Sequence, residues 1–314
     1  MQDGVSVILL TWNGLPLLRE CLPRLTTALA GLSLPHELIV VDNGSVDGTI
    51  DYLETHYPSV ARVEFTRNLG FARANNKAID KARYNRLLFI NNDIYFEYSF
   101  VEPLYEALKE EAVFAAAPKM LRWDRTTIDD GLRYGKYYSG LFSVELEEDS
   151  AQFDLPHWVT FFCGGCFMCK RDLFCAWGGF DPLYTPYAWE DLDLSYRAWK
   201  YGFSVAYVPH AVAYHKREAT TRSAFSNFFF IALMWRNKFI FMWKNLTSLR
   251  MLINHLVWLP LKLVKFLCNG RWRYVCGFLW ALPTVPVIII RRFYEWKKIV
   301  RTDEDVLKIS YQRR

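Results

Sequence analysis

Four short apolar runs alternate with segments of helical period over the first ninety residues, and that alternation restricts the chain to a narrow class of folds. Val5-Ser6-Val7-Ile8-Leu9-Leu10 ends at Thr11-Trp12-Asn13-Gly14, and Leu18, Leu22, Leu25 and Leu29 then recur at helical spacing within Leu17–Leu32. Glu37–Val41 is the second run; it ends in Asp42-Asn43-Gly44-Ser45, with Ser45 or Asp47 placed to cap a helix from Gly48 to His56. Ala61–Thr66 and a helical segment Phe71–Ala82 repeat the pattern, and Leu87-Leu88-Phe89-Ile90 stops abruptly at Asn91-Asn92-Asp93. Strands alternating with helices at this spacing make βαβ units and a doubly wound parallel sheet, whose ligand crevice lies outside the carboxyl ends of the strands. Leu87–Ile90 reads as a strand buried on both faces. Asp93 therefore stands where a charged ligand is expected, and our reading is that it holds a divalent metal which in turn holds a diphosphate.

No GxGxxG follows the first strand and no GxxxxGK[ST] occurs anywhere, so a nucleotide bound here would be gripped by side chains and metal. A helix is expected from Phe100 to Glu111 and a strand over Ala112–Pro118. Residues 122–160 read as irregular and polar, an acceptor-side loop or small hairpin. A helix is expected to open at Trp189-Glu190-Asp191 and run to Tyr201, with Gly202 as its stop. Val205–Val208 is the last expected strand, and His210 to His215 follows it. With 314 residues the chain can bury a sizeable core without staples. The N-terminus has no basic n-region and no h-region of sufficient length, so the catalytic part is expected in the cytosol, with its seven cysteines as thiols.

Four strings stand in an order that resembles the family 2 glycosyltransferases of the GT-A fold. They are Val41-Asp42-Asn43-Gly44-Ser45-Val46-Asp47-Gly48-Thr49, then Asn68-Leu69-Gly70-Phe71-Ala72-Arg73-Ala74-Asn75-Asn76, then Asn91-Asn92-Asp93, and last Gly178-Gly179-Phe180-Asp181 leading to Glu190-Asp191-Leu192-Asp193. The second and fourth look most like the rhamnosyltransferase-like branch that builds bacterial surface polysaccharides. The fold implied is GT-A: α/β, a Rossmann-like, mostly parallel sheet flanked by helices. The activity implied is inverting transfer of a sugar from a nucleotide-diphosphate donor to a glycan or lipid-linked acceptor. The branch favours a deoxythymidine-diphosphate rhamnose donor. The family's DxD stands here as Asn91-Asn92-Asp93, so Asp93 alone supplies a carboxylate.

The resemblance also implies roles. Asp42 hydrogen-bonds the donor's base, with Thr11 and Asn13 beside it. An Asx turn or helix cap is the structural alternative for Asp42. Asn68, Gly70, Arg73 and Asn76 lie near a helix start, where an anionic phosphate is favoured, and face the donor together with Asn92 and Asp93. A hard divalent cation, Mn2+ or Mg2+, neutralises the charge that develops on the leaving diphosphate. His215 is the expected second ligand beside Asp93, with His210 as its rival, and a mixed oxygen and imidazole set suits manganese. Asp191 is the expected base, removing the acceptor's proton, and Glu190 supports it. Gly164, Gly165 and Trp189 line the acceptor side. The spacing Cys163-x2-Cys166-x2-Cys169-x5-Cys175 resembles that of cluster ligands, yet small thiols also pack well in apolar interiors, and packing is the reading preferred here.

The tail changes character. Residues 1–215 carry 19 Lys and Arg against 28 Asp and Glu, while residues 216–314 carry 19 against 5. Phe225–Trp243 is dense in aromatics, and Met251–Leu267 and Phe278–Ile290 are apolar but interrupted, so none reaches the roughly 20 clean residues of a spanning helix. Amphipathic helices lying in a membrane interface fit this composition. Aromatic core and nucleic-acid binding are the other readings, and no nucleic-acid partner is expected. The division expected is a catalytic domain at 1–222 and a basic, aromatic-rich, helical membrane-associating region at 223–314. This makes the enzyme peripheral on the cytoplasmic face of the inner membrane, with a polyprenyl-linked acceptor. The tail can instead pair protomers into a homo-oligomer. The competing function is a non-catalytic nucleotide-sugar-binding scaffold of a membrane assembly.

Overall fold

The computed structural model describes residues 2–96, 99–216 and 226–311. Strands β1 (Gln2–Thr11), β2 (His36–Asp42), β3 (Ala61–Glu64) and β4 (Tyr84–Asn91) form a parallel block in the order β4-β1-β2-β3. Helices α1 (Leu15–Ala30), α2 (Thr49–His56) and α3 (Phe71–Ala78) connect them. Alternate residues of each strand enter opposite cores. Val7 and Leu9 pack with Leu18, Leu22 and Leu25 of α1, while Ile8 packs on the other face with Ile39 and Phe89. This two-sided burial is why the strands read as unbroken apolar runs. Thr11 pairs with Asp42 and Leu10 with Asn91, so three strands end at one edge of the sheet.

The sheet is mixed beyond β4. The cysteine run folds as β11 (Cys166–Lys170), inserted antiparallel between β4 and β6 (Val113–Arg122). β12 (Ser204–His215) lies parallel to β6 and is longer than the strand expected, which stopped at Val208. A bulge between Val208 and Val212 interrupts its register, and beyond it the strand resumes far enough to place His215 opposite Ile94 of β5 (Ile94–Phe96). The helix expected from Phe100 to Glu111 is α4 (Val101–Ala107) only, and β6 runs four residues past Pro118. The stretch 122–160 is largely ordered: it holds β7 (Ile128–Asp130), the hairpin β8 (Arg133–Tyr138) and β9 (Leu141–Leu146), and β10 (His157–Trp158).

After α5 (Arg171–Ala176), helix α6 (Glu190–Lys200) is buried along its whole length except at Asp191. It is covered by α7 (Asn227–Asn245), whose Phe239, Phe241 and Met242 belong to the same core as Phe142, Phe161 and Tyr196. Phe241 lies 5.3 Å from Trp189 between ring centroids. Two further helical stretches pack outside α7. Helix α8 (Leu249–Cys268) contains Pro260, and α9 (Trp272–Ala281) continues through a 3-10 turn into α10 (Val285–Trp296). Stretches of 20 and 25 residues are long and apolar enough to cross a membrane, which corrects the expectation that none would be. Pro283 and Pro286 do not end the second stretch, because they sit in first-turn positions where no N–H is needed. Helix α11 (Asp303–Leu307) and a 3-10 turn (Lys308–Tyr311) close the described chain. The boundary expected at 222/223 lies outside the described residues.

Candidate active site

The aligned strand ends open into a cavity of about 810 Å³. Thr11, Asn68, Gly70, Asn92 and Asp93 line it together with Gly164, Gly165, Trp189, Glu190 and Asp191. Asn92 Nδ2 donates to Thr11 Oγ1 at 2.9 Å, tying the ends of β4 and β1 together. Asn68 Oδ1 accepts from Gly70 N at 2.8 Å and from Asn43 Nδ2 at 3.0 Å. Gly70 has φ +80°, and a Cβ there would meet the Pro186 carbonyl at 2.7 Å, so only glycine fits this crossing.

Asp93 meets His215 across 122 residues of sequence: its Oδ2 lies 3.1 Å from His215 Nε2. The other imidazole nitrogen, Nδ1, lies 2.7 Å from Asp129 Oδ2 on β7. Burial disfavours the charged imidazole, but the bonds to Asp129 and Asp93 outweigh it and raise the His215 pKa to about 9. Asp93 Oδ1 is buried and has no hydrogen-bond partner. An orphaned carboxylate oxygen beside an imidazole nitrogen is a donor set that suits manganese. Among the described residues no group of three or more His, Cys, Asp or Glu side chains is arranged to hold a metal ion, so these two donors would leave the remaining positions to ligand oxygens. His210, the rival, sits exposed at the β12 bulge.

Asp191 presents Oδ2 to Gly164 N at 3.0 Å and to Arg133 Nη1 at 3.3 Å. A Cβ on Gly164 would stand 3.0 Å from Asp191 Cβ, and one on Gly165 would stand 2.9 Å from Asn91 Nδ2. The two glycines thus allow the loop before β11 to press against both polar groups. Ala188 and Trp189 hold φ of +73° and +76° just before α6, a conformation costly for residues with side chains. Glu190 is 5% exposed with an unpartnered Oε2; burial, then the charge of Asp191, push its pKa well above the carboxylate range. Asp193, two residues on, points away into a buried cluster with Arg197, Lys244 and Asn245.

Several expected donor contacts lie elsewhere. Arg73 is exposed on α3 and does not line the cavity, because its neighbours Ala72 and Ala74 take the buried face. Asn76 clasps the loop before α6, bonding both N–H and C=O of Phe180 at 2.9 and 2.7 Å. Asn13 accepts from Val46 N at 2.8 Å and so latches the loop after β2. Asp42 forms the Asx-type turn through Gly44 N and Ser45 N, while its buried Oδ1 is left without a partner. Gly48, not Ser45 or Asp47, is the α2 cap residue, although Asp47 Oδ1 accepts from Thr49 N at 3.2 Å. The cysteines share no centre: Cys166 and Cys169 sit in the two cores on opposite faces of the sheet. Asp129, Arg133 and the α7 residues Phe230, Met234 and Lys238 also line the cavity. None was singled out from sequence; the pair Asp129-Asp130 followed by a glycine was the only local signal.

A family model described as "Glycosyl transferase family 2" matches residues 6–177. The N-acetylglucosaminyl-diphospho-decaprenol L-rhamnosyltransferase of Mycobacterium tuberculosis is 25% identical over 272 residues, covering 77% of this chain and 85% of the relative. Among solved structures, GalNAc-T7 with UDP, GalNAc and Mn2+ superposes with a TM-score of 0.58 at 17% identity; it covers 76% of this chain, which spans about half (47%) of that one. The mannosyltransferase PcManGT of Pyrobaculum calidifontis, in complex with GDP-Man and Mn2+, gives 0.56 at 15% identity, covering 99% of this chain and 85% of its own.

Proposed function

The chain belongs to glycosyl transferase family 2, and we propose that it is an inverting enzyme which moves a sugar from a nucleotide diphosphate to a lipid-linked acceptor. That it is a glycosyltransferase using a nucleotide sugar, rhamnosyltransferase-like and of GT-A fold, follows from the family match and the relatives. The single observation that carries the finer reading is that Asp93 and Asp191 line one cavity. The family order of motifs and the M. tuberculosis relative's name support rhamnose as the sugar.

Thr11, Asn68, Gly70 and Asn92 hold the donor. Asp42, through its unpartnered oxygen, is a further contact candidate for the base. Asp93 and His215 would hold a divalent metal, Mn2+ or Mg2+, that neutralises charge on the leaving diphosphate. Asp129 fixes which nitrogen of His215 faces Asp93. On the acceptor side, Gly164 N and Arg133 orient the Asp191 carboxylate. That carboxylate accepts the acceptor hydroxyl's proton as the oxygen attacks the anomeric carbon from the face opposite the diphosphate. Glu190, kept protonated by burial, is a poor base and a good neutral neighbour. Trp189 walls the site.

Helix α8 and the α9–α10 stretch bury one side against the protein, through Met251, His255, Phe266, Gly277 and Ile288. The other side exposes Leu256, Val257, Leu261, Ile289, Ile290 and Phe293. A spanning helix would have to give up that one-sided packing, so the helices lie in the interface as a plate. The enzyme is then peripheral, on the cytoplasmic face, with its acceptor delivered by the membrane. The test is Asp191→Asn: transfer falls by at least ~10²-fold, the scale of a lost general base, while nucleotide-sugar binding survives. Wild-type turnover in that variant refutes the assignment.

A further inference from the structure

Helix α7 gives the catalytic cavity a feature that sugar transfer alone does not require. Lys238 lines the cavity from this helix, which also carries α9 packed along it. Among the described residues its ammonium has no carboxylate and no hydrogen-bond acceptor. Its contact is the face of Trp235, 4.7 Å from the ring centroid. Lys262 of α8 lies near enough to repel it, and burial together with that repulsion lowers the Lys238 pKa to about 8. Elsewhere this fold pairs its buried lysines: Lys244 reaches Asp193 and Asp181, and Lys200 reaches Asp303. An unneutralised, half-buried ammonium in a wall shared with a second cavity of about 620 Å³, under the β8–β9 hairpin, is a cation kept for an anion that arrives from outside.

We propose that Lys238, backed by Lys262, binds the phosphate group that joins the acceptor's sugar to its lipid. This rests on the lipid-linked acceptor reading above and adds to it the residue that recognises the linkage. The location is apt for such a group. Asp191 needs the acceptor's hydroxyl within hydrogen-bond reach, while α8 and α10 present the apolar plate on the outside of α7. A phosphate between sugar and lipid must lie between those two, and Lys238 is a cavity residue on the helix that joins them. The donor's diphosphate has its own place at Asp93 and His215, on different elements of the fold. A neutral acceptor would leave the Lys238 ammonium uncompensated in the cavity wall.

The probe is farnesyl diphosphate in detergent micelles, with farnesol as the uncharged control and EDTA present so that no metal holds a diphosphate at the donor end. Binding is followed by tryptophan fluorescence, since Trp235 lies beside the ammonium. Wild-type protein should prefer farnesyl diphosphate to farnesol. Lys238→Gln should weaken that binding about 10- to 100-fold, the range of a lost charge-assisted hydrogen bond. Lys238→Arg, which keeps the charge, should hold it within about threefold and so exclude misfolding as the cause. Equal binding of both probes by the wild type overturns the lipid-phosphate reading itself. A wild-type preference that persists in Lys238→Gln overturns only the assignment to Lys238. Displacement of the probe by nucleoside diphosphate puts it at the donor end, and equally tight binding of inorganic pyrophosphate makes the lipid irrelevant; either result also overturns the assignment.

Discussion

Replacing Asn237 by alanine should cost both stability and turnover, although the residue touches no reacting group. Asn237 is fully buried on α7. Its Nδ2 donates to the carbonyls of Ala188 at 2.8 Å, Tyr187 at 3.0 Å and, more weakly, Tyr184 at 3.3 Å. These carbonyls belong to the turn that delivers Trp189, Glu190 and Asp191 to the cavity, and two residues of that turn hold positive φ. An amide nitrogen has two hydrogens, so two well-made donor bonds are lost in the variant, together with the bond that Asn237 Oδ1 accepts from Arg236 Nη1 at 2.7 Å. Each half-buried carbonyl left without that donor costs roughly 1–3 kcal/mol, giving about 2–6 kcal/mol for the two. The unanchored turn can then relax from its strained conformation, worth about 1–3 kcal/mol per residue. A shift of about 1 Å at Asp191 is enough to lower kcat ~10²-fold. Urea unfolding followed by tryptophan fluorescence reads the first effect, and transfer from the nucleotide sugar reads the second. Asn237→Asp keeps the size and removes the donor, so it should be at least as harmful. An alanine variant within about 0.5 kcal/mol and twofold in kcat of the wild type would refute the claim that α7 sets the catalytic turn.

Three other consequences can be checked directly. Asp129→Asn removes the carboxylate that orients His215 and should weaken Mn2+ binding, titrated calorimetrically with nucleoside diphosphate present, by about 10- to 100-fold; unchanged affinity would deny Asp129 that role. In chelator-treated protein the raised His215 pKa of about 9 contributes stability that is full below about pH 6.5 and is lost as pH rises through about 9. The same variant should therefore flatten the pH dependence of the urea midpoint across that window. Leu261→Asp combined with Ile290→Asp, on the exposed side of α8 and α10, should lower co-sedimentation with lipid vesicles by at least ~10-fold, since a buried leucine or isoleucine is worth about 1.5–3 kcal/mol; undiminished sedimentation would refute the membrane plate.

What could be seen in the sequence was what local physics determines. Val5–Leu10 and Leu87–Ile90 are buried on both faces, so their apolar runs announce parallel strands wherever their partners lie. Cys166-Phe167-Met168-Cys169 is buried on both faces as well. The cysteines hid it, and nothing local says that it enters the sheet antiparallel between β4 and β6. The β8–β9 hairpin was harder still, because β8 carries Arg133, Lys136 and three tyrosines with no aliphatic residue. Its turn, Ser139-Gly140, has φ of +47° and +78° and was the one short-range signal. In the site, the family strings marked a neighbourhood more reliably than a list of contacts. Asp93, His215 and Asp191 come to the cavity or its edge, whereas Asn13 and Asn76 spend their polar groups holding the loops that shape it. Arg73 falls outside because helical phase, not motif order, decides which way a side chain turns. Asp129 was out of reach because it matters only through His215 on a distant strand, and Lys238 because the cavity it lines is assembled from distant elements.

The division of charge along the chain takes on a second meaning in the fold. An acidic first part and a basic tail suggest two separate jobs, one on the donor and one on the membrane. Yet part of the tail's positive charge is turned inward. Lys244 is completely buried and lies 2.8 Å from both Asp181 and Asp193, and Arg291 reaches Asp181 at 3.0 Å. Arg292 donates to the carbonyls of Trp243 and Leu246 at the end of α7. Asp193 sits in the first turn of α6 with Glu190 and Asp191, and its three different neighbourhoods give these acids three different jobs. Asp193, whose acidity is strengthened by Lys244 and Arg197 against the cost of burial, is the foot on which α6 stands. Removing one partner of such a buried pair costs about 3–5 kcal/mol, because the remaining charge cannot be hydrated. Helix α10, which carries Arg291, and the helix that carries Asp191 are thus joined through charges neither could leave uncompensated.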